Sequence, residues 1–363
     1  MSKISSKELF VFTFFISIIL FPGFGNTIIL QTGKNTTMIS SIFGFLIGFI
    51  PLLMIIYMIN NTESKNIFTY NKEKFKFLGY IFNILYVIAI FYVVFAESWT
   101  TITFTISQYL QRTSYYLILF LLSSAISYII CKKLEVIGRW HILLFIIFLL
   151  LIFFAWIFLI PLVEYENFLP LINVSKKEIT KTALMIPNFL SLPLISLMAI
   201  RKKDIVDPKN IKKSILLGYS ISFLFVLMFL FLIVGVFGID MSIIFTYPEY
   251  ALFKKVNAFD FIQRIENVLA STIIIAAFTS LAVLFYFLTT YVKDTFKIKK
   301  QNILNIITII ICFGIPIISV ALFKNYIIID VLTKYPFYSS FIFIVLFINF
   351  ILIYLTKKKS VKH

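Results

Sequence analysis

Ten long apolar stretches dominate the chain, and they constrain its fold more than any other feature. They run roughly over Leu9–Thr32, Met38–Ile59, Phe77–Tyr109, Tyr115–Cys131, His141–Val163, Thr182–Ile200, Ser214–Gly238, Asn267–Val292, Ile303–Phe323 and Tyr335–Thr356. About 20 apolar residues cross a bilayer as a helix, because in lipid each backbone polar group must find its partner within the segment. The expected fold is an all-α polytopic membrane protein of ten transmembrane helices, forming one membrane domain over residues 1–363. The longest gap, Ile239–Glu266, is 28 residues and leaves no room for a soluble domain. The third stretch is over-long, which predicts strong tilt or extension past the headgroups. The first is too long for a signal sequence and lacks a small-x-small cleavage site, so it is read as a retained helix.

The chain carries 33 Lys and Arg against 16 Asp and Glu, a formal charge of +17. In a soluble protein that excess would point to nucleic acid. Here it alternates with the spans: 23 basic residues fall in the N-terminus, the C-terminus and every second loop, and 10 on the other side. Basic residues accumulate on the cytoplasmic side, so both termini are expected there, and the charge is a topology signal. Lys357-Lys358-Lys359 reads as an anchor facing anionic lipid. The two cysteines, Cys131 and Cys312, and two histidines, His141 and His363, make neither a disulfide framework nor a histidine-rich metal site. HExxH, GxxxxGK[ST], GxSxG and CxxC are all missing, so zinc hydrolase, P-loop ATPase and serine hydrolase chemistry have no support. No enzyme activity, metal or cofactor is expected.

Two spans are interrupted. Span one contains Phe21-Pro22-Gly23-Phe24-Gly25-Asn26 near its middle, and span six contains Pro187-Asn188 and Pro193. Proline removes a helix hydrogen bond, and glycine permits close backbone approach. If the chain is two halves of five spans, about 8–163 and 182–356, spans one and six are equivalent and the halves have inverted topology. Broken helices at matching places in inverted halves point to a transporter-type midplane site. Half-helix N-termini offer free N–H groups suited to a carboxylate. Pro22, Gly23, Gly25, Pro187 and Asn188 are therefore candidate ligand-binding positions. The competing reading is ordinary kinks, for which Pro51, Pro161 and Pro316 supply a background.

Glu97 is the one acidic residue well inside a span. Such residues face a cavity or a partner, unless a tilted helix carries the carboxylate to the interface. Thr100, Thr101, Thr103, Thr105 and Ser107 follow it, and can line a pathway or bond to backbone carbonyls. Thr279 and Ser280, polar in an apolar run of span eight, are candidates for site lining or for helix packing. Gly44-x-x-x-Gly48 predicts close helix contact within the fold. In the external segment 240–266, Leu252, Val256, Phe259 and Ile262 recur at helical spacing after Tyr247-Pro248-Glu249-Tyr250. This amphipathic stretch is a lid or partner contact, with Tyr247, Pro248, Glu249, Arg264 and Glu266 as its chemistry-bearing residues, or else a plain interfacial helix.

These residues resemble the endospore germination permeases, the B-type subunits of spore germinant receptors, within the amino acid/polyamine/organocation transporter superfamily. The resemblance rests on Tyr247-Pro248-Glu249-Tyr250 followed by Lys255, Phe261 and Arg264-Ile265-Glu266. It rests also on Leu134-Glu135-Val136-Ile137-Gly138-Arg139, and on the span-one glycines with Gly33-Lys34-Asn35. It implies a five-plus-five inverted-repeat amino acid transporter fold in the spore inner membrane. It further implies a small germinant, often an amino acid, bound at Gly23 and Gly25, and action with A-type and C-type receptor subunits. Departures from the family pattern, Asn35-Thr36-Thr37 and Pro187-Asn188 with Pro193, bear on ligand identity rather than fold. Two other readings stand beside this one. One is a secondary amino acid transporter coupled to protons or sodium, with Glu97 as its ion group. The other is a structural subunit with a vestigial pocket.

Overall fold

The computed structural model describes residues 3–132, 134–169, 175–255, 266–322 and 327–360. Twelve α-helices carry them: α1 (Ser6–Ile18), α2 (Asn26–Gly33), α3 (Thr37–Asn61), α4 (Ile67–Phe104), α5 (Tyr115–Ile130), α6 (Leu134–Leu159), α7 (Lys176–Leu190), α8 (Ile211–Ser242), α9 (Pro248–Lys254), α10 (Glu266–Thr295), α11 (Gln301–Leu322) and α12 (Ile327–Ser360). Extended pairing among the described residues is limited to one bridge, Ile4 with Ile205.

Nine helical stretches among the described residues are long and apolar enough to cross a membrane, and α5, at 16 residues, is a shorter apolar helix. The protein is a multi-pass membrane protein. Its spans are not equally placed. The apolar windows of Ser6–Gly23, Lys176–Ala199 and Ala270–Thr295 are 78%, 94% and 78% buried, against 22% for Leu134–Leu162 and 28% for Gln301–Leu322. Spans one, six and eight therefore form the centre, and α6 and α11 turn large apolar side chains such as Leu150, Phe153, Ile157 and Ile310 outward.

The over-long third span has a local cause. Lys76 sits at φ 47°, ψ −117° and bends α4, separating Ile67–Phe75 from the apolar run. Lys72 and Lys74, which fall between the second and third apolar stretches, thus lie on a helical segment preceding the span. Gly44 and Gly48 pack α3 onto spans six and seven. A β-carbon at Gly44 would sit 2.6 Å from Ile186 Cβ, and one at Gly48 would meet Ser191 Oγ at 2.7 Å and collide with the Tyr219 hydroxyl.

Both ends of the described chain lie on one face. Ile4 donates its N–H to Asp204 O at 2.8 Å and accepts from Val206 N–H at 2.8 Å. Lys202 Nζ reaches Asn60 O at 3.4 Å, and Lys357 Nζ bonds to Asn61 Oδ1. This face, rich in lysine and arginine, is called the basic face below. A capping box of Ser5 and Glu8 opens α1 there. Gly138 lies directly on it, since a β-carbon at that position would sit 2.6 Å from Glu8 Cδ. The glycine of Leu134–Arg139 is thereby explained by the close approach of α6 to the start of α1.

Candidate functional site

The break in span one is built by two residues. Pro22 has no N–H to donate and lies at ψ 131°, outside the helical region. Gly23 follows at φ 89°, ψ −86°, a conformation that only glycine enters without strain. The helix then closes a wide turn, Asn26 N–H to Phe21 O, before continuing as α2. A β-carbon at Gly25 would collide with the carbonyl of Leu20, so this turn also needs glycine. Thr27 Oγ1 donates to Gly23 O at 2.9 Å, satisfying one carbonyl that the break sets free.

The freed N–H of Gly23 is answered from 226 residues away: it donates to Glu249 Oε1. Asn26 Nδ2 approaches the other carboxylate oxygen at 3.5 Å. Glu249 belongs to α9, a short helix on the face opposite the basic one. Pro248 at its first turn costs no hydrogen bond, because N–H groups there have no helical acceptor. Tyr247 and Tyr250 pack edge-on against Phe104 at 5.2 and 5.5 Å, and the Tyr250 hydroxyl donates to Gln108 O at 3.0 Å. Tyr247, Pro248 and Glu249 thus lie over the break; from sequence their segment reads as a lid, a partner contact or a plain interfacial helix. Arg264 of the same expected segment lies outside the described residues, and Glu266 opens α10.

Glu249 is 2% exposed. Burial pushes its carboxyl up to about 7 from the ordinary 4.5, against the opposing pull of the Gly23 N–H and the Asn26 amide. The folded chain therefore keeps a proton that the unfolded chain has already lost. Its contribution to stability is full below about pH 4.5 and declines as pH rises toward 7, by on the order of 3 kcal/mol. Melting of the purified protein across that window should fall more steeply for wild type than for Glu249→Gln. Parallel profiles would contradict this.

A small cavity of about 30 Å³ adjoins this carboxylate, room for about one water. Phe21, Pro22 and Asn26 line it from span one, Phe148 and Ile152 from α6, Phe225, Val226 and Phe229 from α8, and Thr272, Ile273 and Ala276 from α10. A larger cavity of about 620 Å³ opens among residues of the basic face. Its walls include Asn66, Arg201, Asp204, Tyr286, Lys293 and Asp294. Arg201 holds Asp204 through two bonds of 2.6 and 3.1 Å, and Asp294 accepts from Asn66 and Thr69 at 2.5 and 3.2 Å.

Span six is interrupted as the sequence indicates: α7 ends at Leu190, and Leu192–Ala199 continue as a 3₁₀ helix. Ser191 N–H bonds to Pro187 O at 2.8 Å, and Ser191 Oγ bonds to Gly48 O and Tyr219 Oη. The two breaks meet through Phe21 and Phe189, whose rings lie 6.0 Å apart. Asn188 bonds instead to Leu184 O and to Ser340 Oγ on α12.

The structure brings Pro22, Gly23 and Glu249 together, with Gly25 closing the turn. Tyr247 and Pro248 lie over it, and the remaining sequence candidates are bonded as follows. Thr279 Oγ1 bonds to the carbonyls of Ile275 and Ala276, and its own carbonyl faces His141 Nε2 at 2.7 Å. Ser280 Oγ lies 2.8 Å from Phe15 O, tying α10 to α1. Glu97 is buried; Thr101 donates to its Oε1 at 3.1 Å, and Oε2 has no partner among the described residues. Asn26 was not singled out from sequence. Its signal is positional: it is the first polar residue of the half-helix after the break.

No group of His, Cys, Asp or Glu suited to a metal ion occurs among the described residues. No curated protein sequence matches the chain significantly. The fold is similar to that of MhsT, whose crystal structure was determined in complex with L-phenylalanine. The TM-score is 0.65 at 13% sequence identity, over 97% of this chain and 89% of that one. The family model described as spore germination protein matches residues 3–326, nearly the whole length, and the chain therefore belongs to the spore germination protein family.

Proposed function

We propose that this protein is the B-type subunit of a spore germinant receptor. It binds a small germinant, an amino acid, in the cavity at the span-one break, and passes closure of that pocket to A-type and C-type partner subunits. In this reading the chain crosses the spore inner membrane ten times with both termini cytoplasmic, and its halves, 8–163 and 182–356, are inverted repeats. The observation that carries the proposal is the break at Pro22-Gly23, with its buried polar groups, an adjoining cavity and the cover supplied by α9. The cavity is smaller than an amino acid, so binding must widen it. A ligand that pays for widening by binding one state better shifts the population toward that state.

The test is Ala276→Phe, which more than fills the cavity from its α10 wall. Amino acid binding by the purified protein, and germination of spores carrying the variant, should both fall at least ~10-fold, as expected when a positioned ligand loses its space. Germination unchanged beside lost binding would favour a structural subunit with a vestigial pocket. Transport is the second reading, and the buried, half-satisfied Glu97 favours it. Gradient-driven uptake in proteoliposomes, abolished by Glu97→Gln, would establish it over the receptor reading.

A further inference from the structure

The charges around the break do not match a ligand read by its carboxylate. The N–H that would donate to a ligand carboxylate already donates to the chain's own Glu249. No Lys, Arg or His is among the described residues lining the cavity, so a second carboxylate brought here would meet a like charge that none of them offsets. Glu249 itself has no cationic partner among the described residues that line the site. Beside it, the Asn26 side chain is 3% exposed, and its carbonyl oxygen has no hydrogen-bond partner among the described residues. The buried amide oxygen is an acceptor waiting for a donor, and the carboxylate beside it, though hydrogen-bonded to Gly23 and Asn26, has no counter-charge; buried polar groups are ordinarily satisfied and buried charges paired. Around them stand the rings of Phe21, Phe148, Phe225 and Phe229, whose faces attract cations.

We infer that the ligand of this pocket is read by its amine: Glu249 and Asn26 form an acceptor pair for an ammonium group carried on a small apolar body. The inference rests on the pocket assignment above and specifies its chemistry. An ammonium donates up to three hydrogen bonds and supplies the missing counter-charge. Glu249 can then keep its bond to Gly23, so α9 becomes part of the binding surface, and the amine links α9 to the break in span one. A ligand carboxylate, where present, must lie on the side of the cavity away from Glu249.

Three matched probes separate the groups: L-valine, isobutylamine, which lacks its carboxylate, and 3-methylbutanoate, which lacks its amine. Binding to the purified full-length protein is measured by calorimetry at about pH 8, so that the Glu249 carboxyl is largely ionised. Isobutylamine should bind within ~10-fold of L-valine, and 3-methylbutanoate at least ~30-fold more weakly, the range expected when one member of a buried charged pair is lost. Glu249→Gln retains an acceptor for the Gly23 N–H and should weaken isobutylamine by a similar factor, and Asn26→Leu should weaken it less. Cooperative melting of both variants without probe, with Glu249→Gln no less stable than wild type at this pH, shows that folding is intact. Tighter binding of 3-methylbutanoate than of isobutylamine, strengthened by Glu249→Gln, would overturn the inference and make Glu249 a tethered stand-in for a ligand carboxylate. If Ala276→Phe then abolishes that binding, the pocket stands and only its amine chemistry fails. If none of the probes binds, the amine inference and the pocket assignment fail together.

Discussion

Gly23→Val is expected to give a protein that neither binds ligand nor folds stably in detergent. Two independent costs add. The residue sits at φ 89°, ψ −86°, where a β-branched side chain is strained by about 1–3 kcal/mol. Its β-carbon would also stand 2.8 Å from Thr100 Cγ2 and 3.1 Å from Tyr247 Cε1, both within packed surroundings. Together these should exceed roughly 3 kcal/mol, in the range reserved for named core failures. Gly23→Ala separates the terms, since it keeps the backbone strain and the contact with Thr100 but adds no branches. Pairing it with Thr100→Ser removes the contacting methyl, and the double variant should recover part of the lost melting temperature. Full tolerance of Gly23→Ala would refute the account of the break given above.

The second large effect is expected at Gly48. Leucine there would drive into the Tyr219 hydroxyl and Ser191 Oγ. It would also displace a polar knot: Ser191 Oγ to Gly48 O at 3.0 Å, Ser191 to Tyr219 at 3.1 Å and Tyr219 to Phe45 O at 3.2 Å. That knot pins the break of span six between α3 and α8, with Phe45 stacked on Tyr219 and Phe223 at 5.2 and 4.1 Å. Overpacking and stranded polar groups each cost about 1–3 kcal/mol, so loss of the folded population is the expected result. Gly314 supplies the control. Nothing lies within 4 Å of a β-carbon placed there, and Gly314→Leu should change melting little, within about 0.5 kcal/mol. Equal loss for both variants would mean that glycine matters here for helix flexibility rather than for contact.

The spans were readable from sequence because hydrocarbon imposes a length and forbids unpaired backbone, which leaves a coarse signal. Pro22-Gly23 was readable for a similar reason: each is a residue type with a fixed backbone consequence; Pro187, by contrast, stays inside α7, and span six opens at Ser191, beside Pro193. The bend at Lys76 was not, since nothing about a lysine announces a positive φ; across it Asn71 donates to Asn83 Oδ1 and Asn83 donates to Phe68 O, each at 3.0 Å. Glu249 was recognised as part of an external segment, but its bond to Gly23 spans 226 residues and depends on how α8 and α10 bring α9 over the break. Thr279 and Ser280 show the opposite case. Their polarity was visible, but hydroxyls on helices readily bond to carbonyls one turn back, so polarity alone did not say whether they face a ligand or a neighbouring helix. Asn26 went unnoticed because asparagine is ordinary at a helix start.

The bridge between Ile4 and Ile205 has a mechanical consequence. It fastens the residues just before α1 to the residues just after the 3₁₀ half of span six, through two backbone bonds of 2.8 Å. The lower halves of the two interrupted spans therefore share one handle. A tilt imposed on either carries the other, and bending is left to the two places where the backbone ladder is already open, Pro22-Gly23 and Ser191. The pair has the geometry of a lever with two elbows, joined by this one bridge at the basic face.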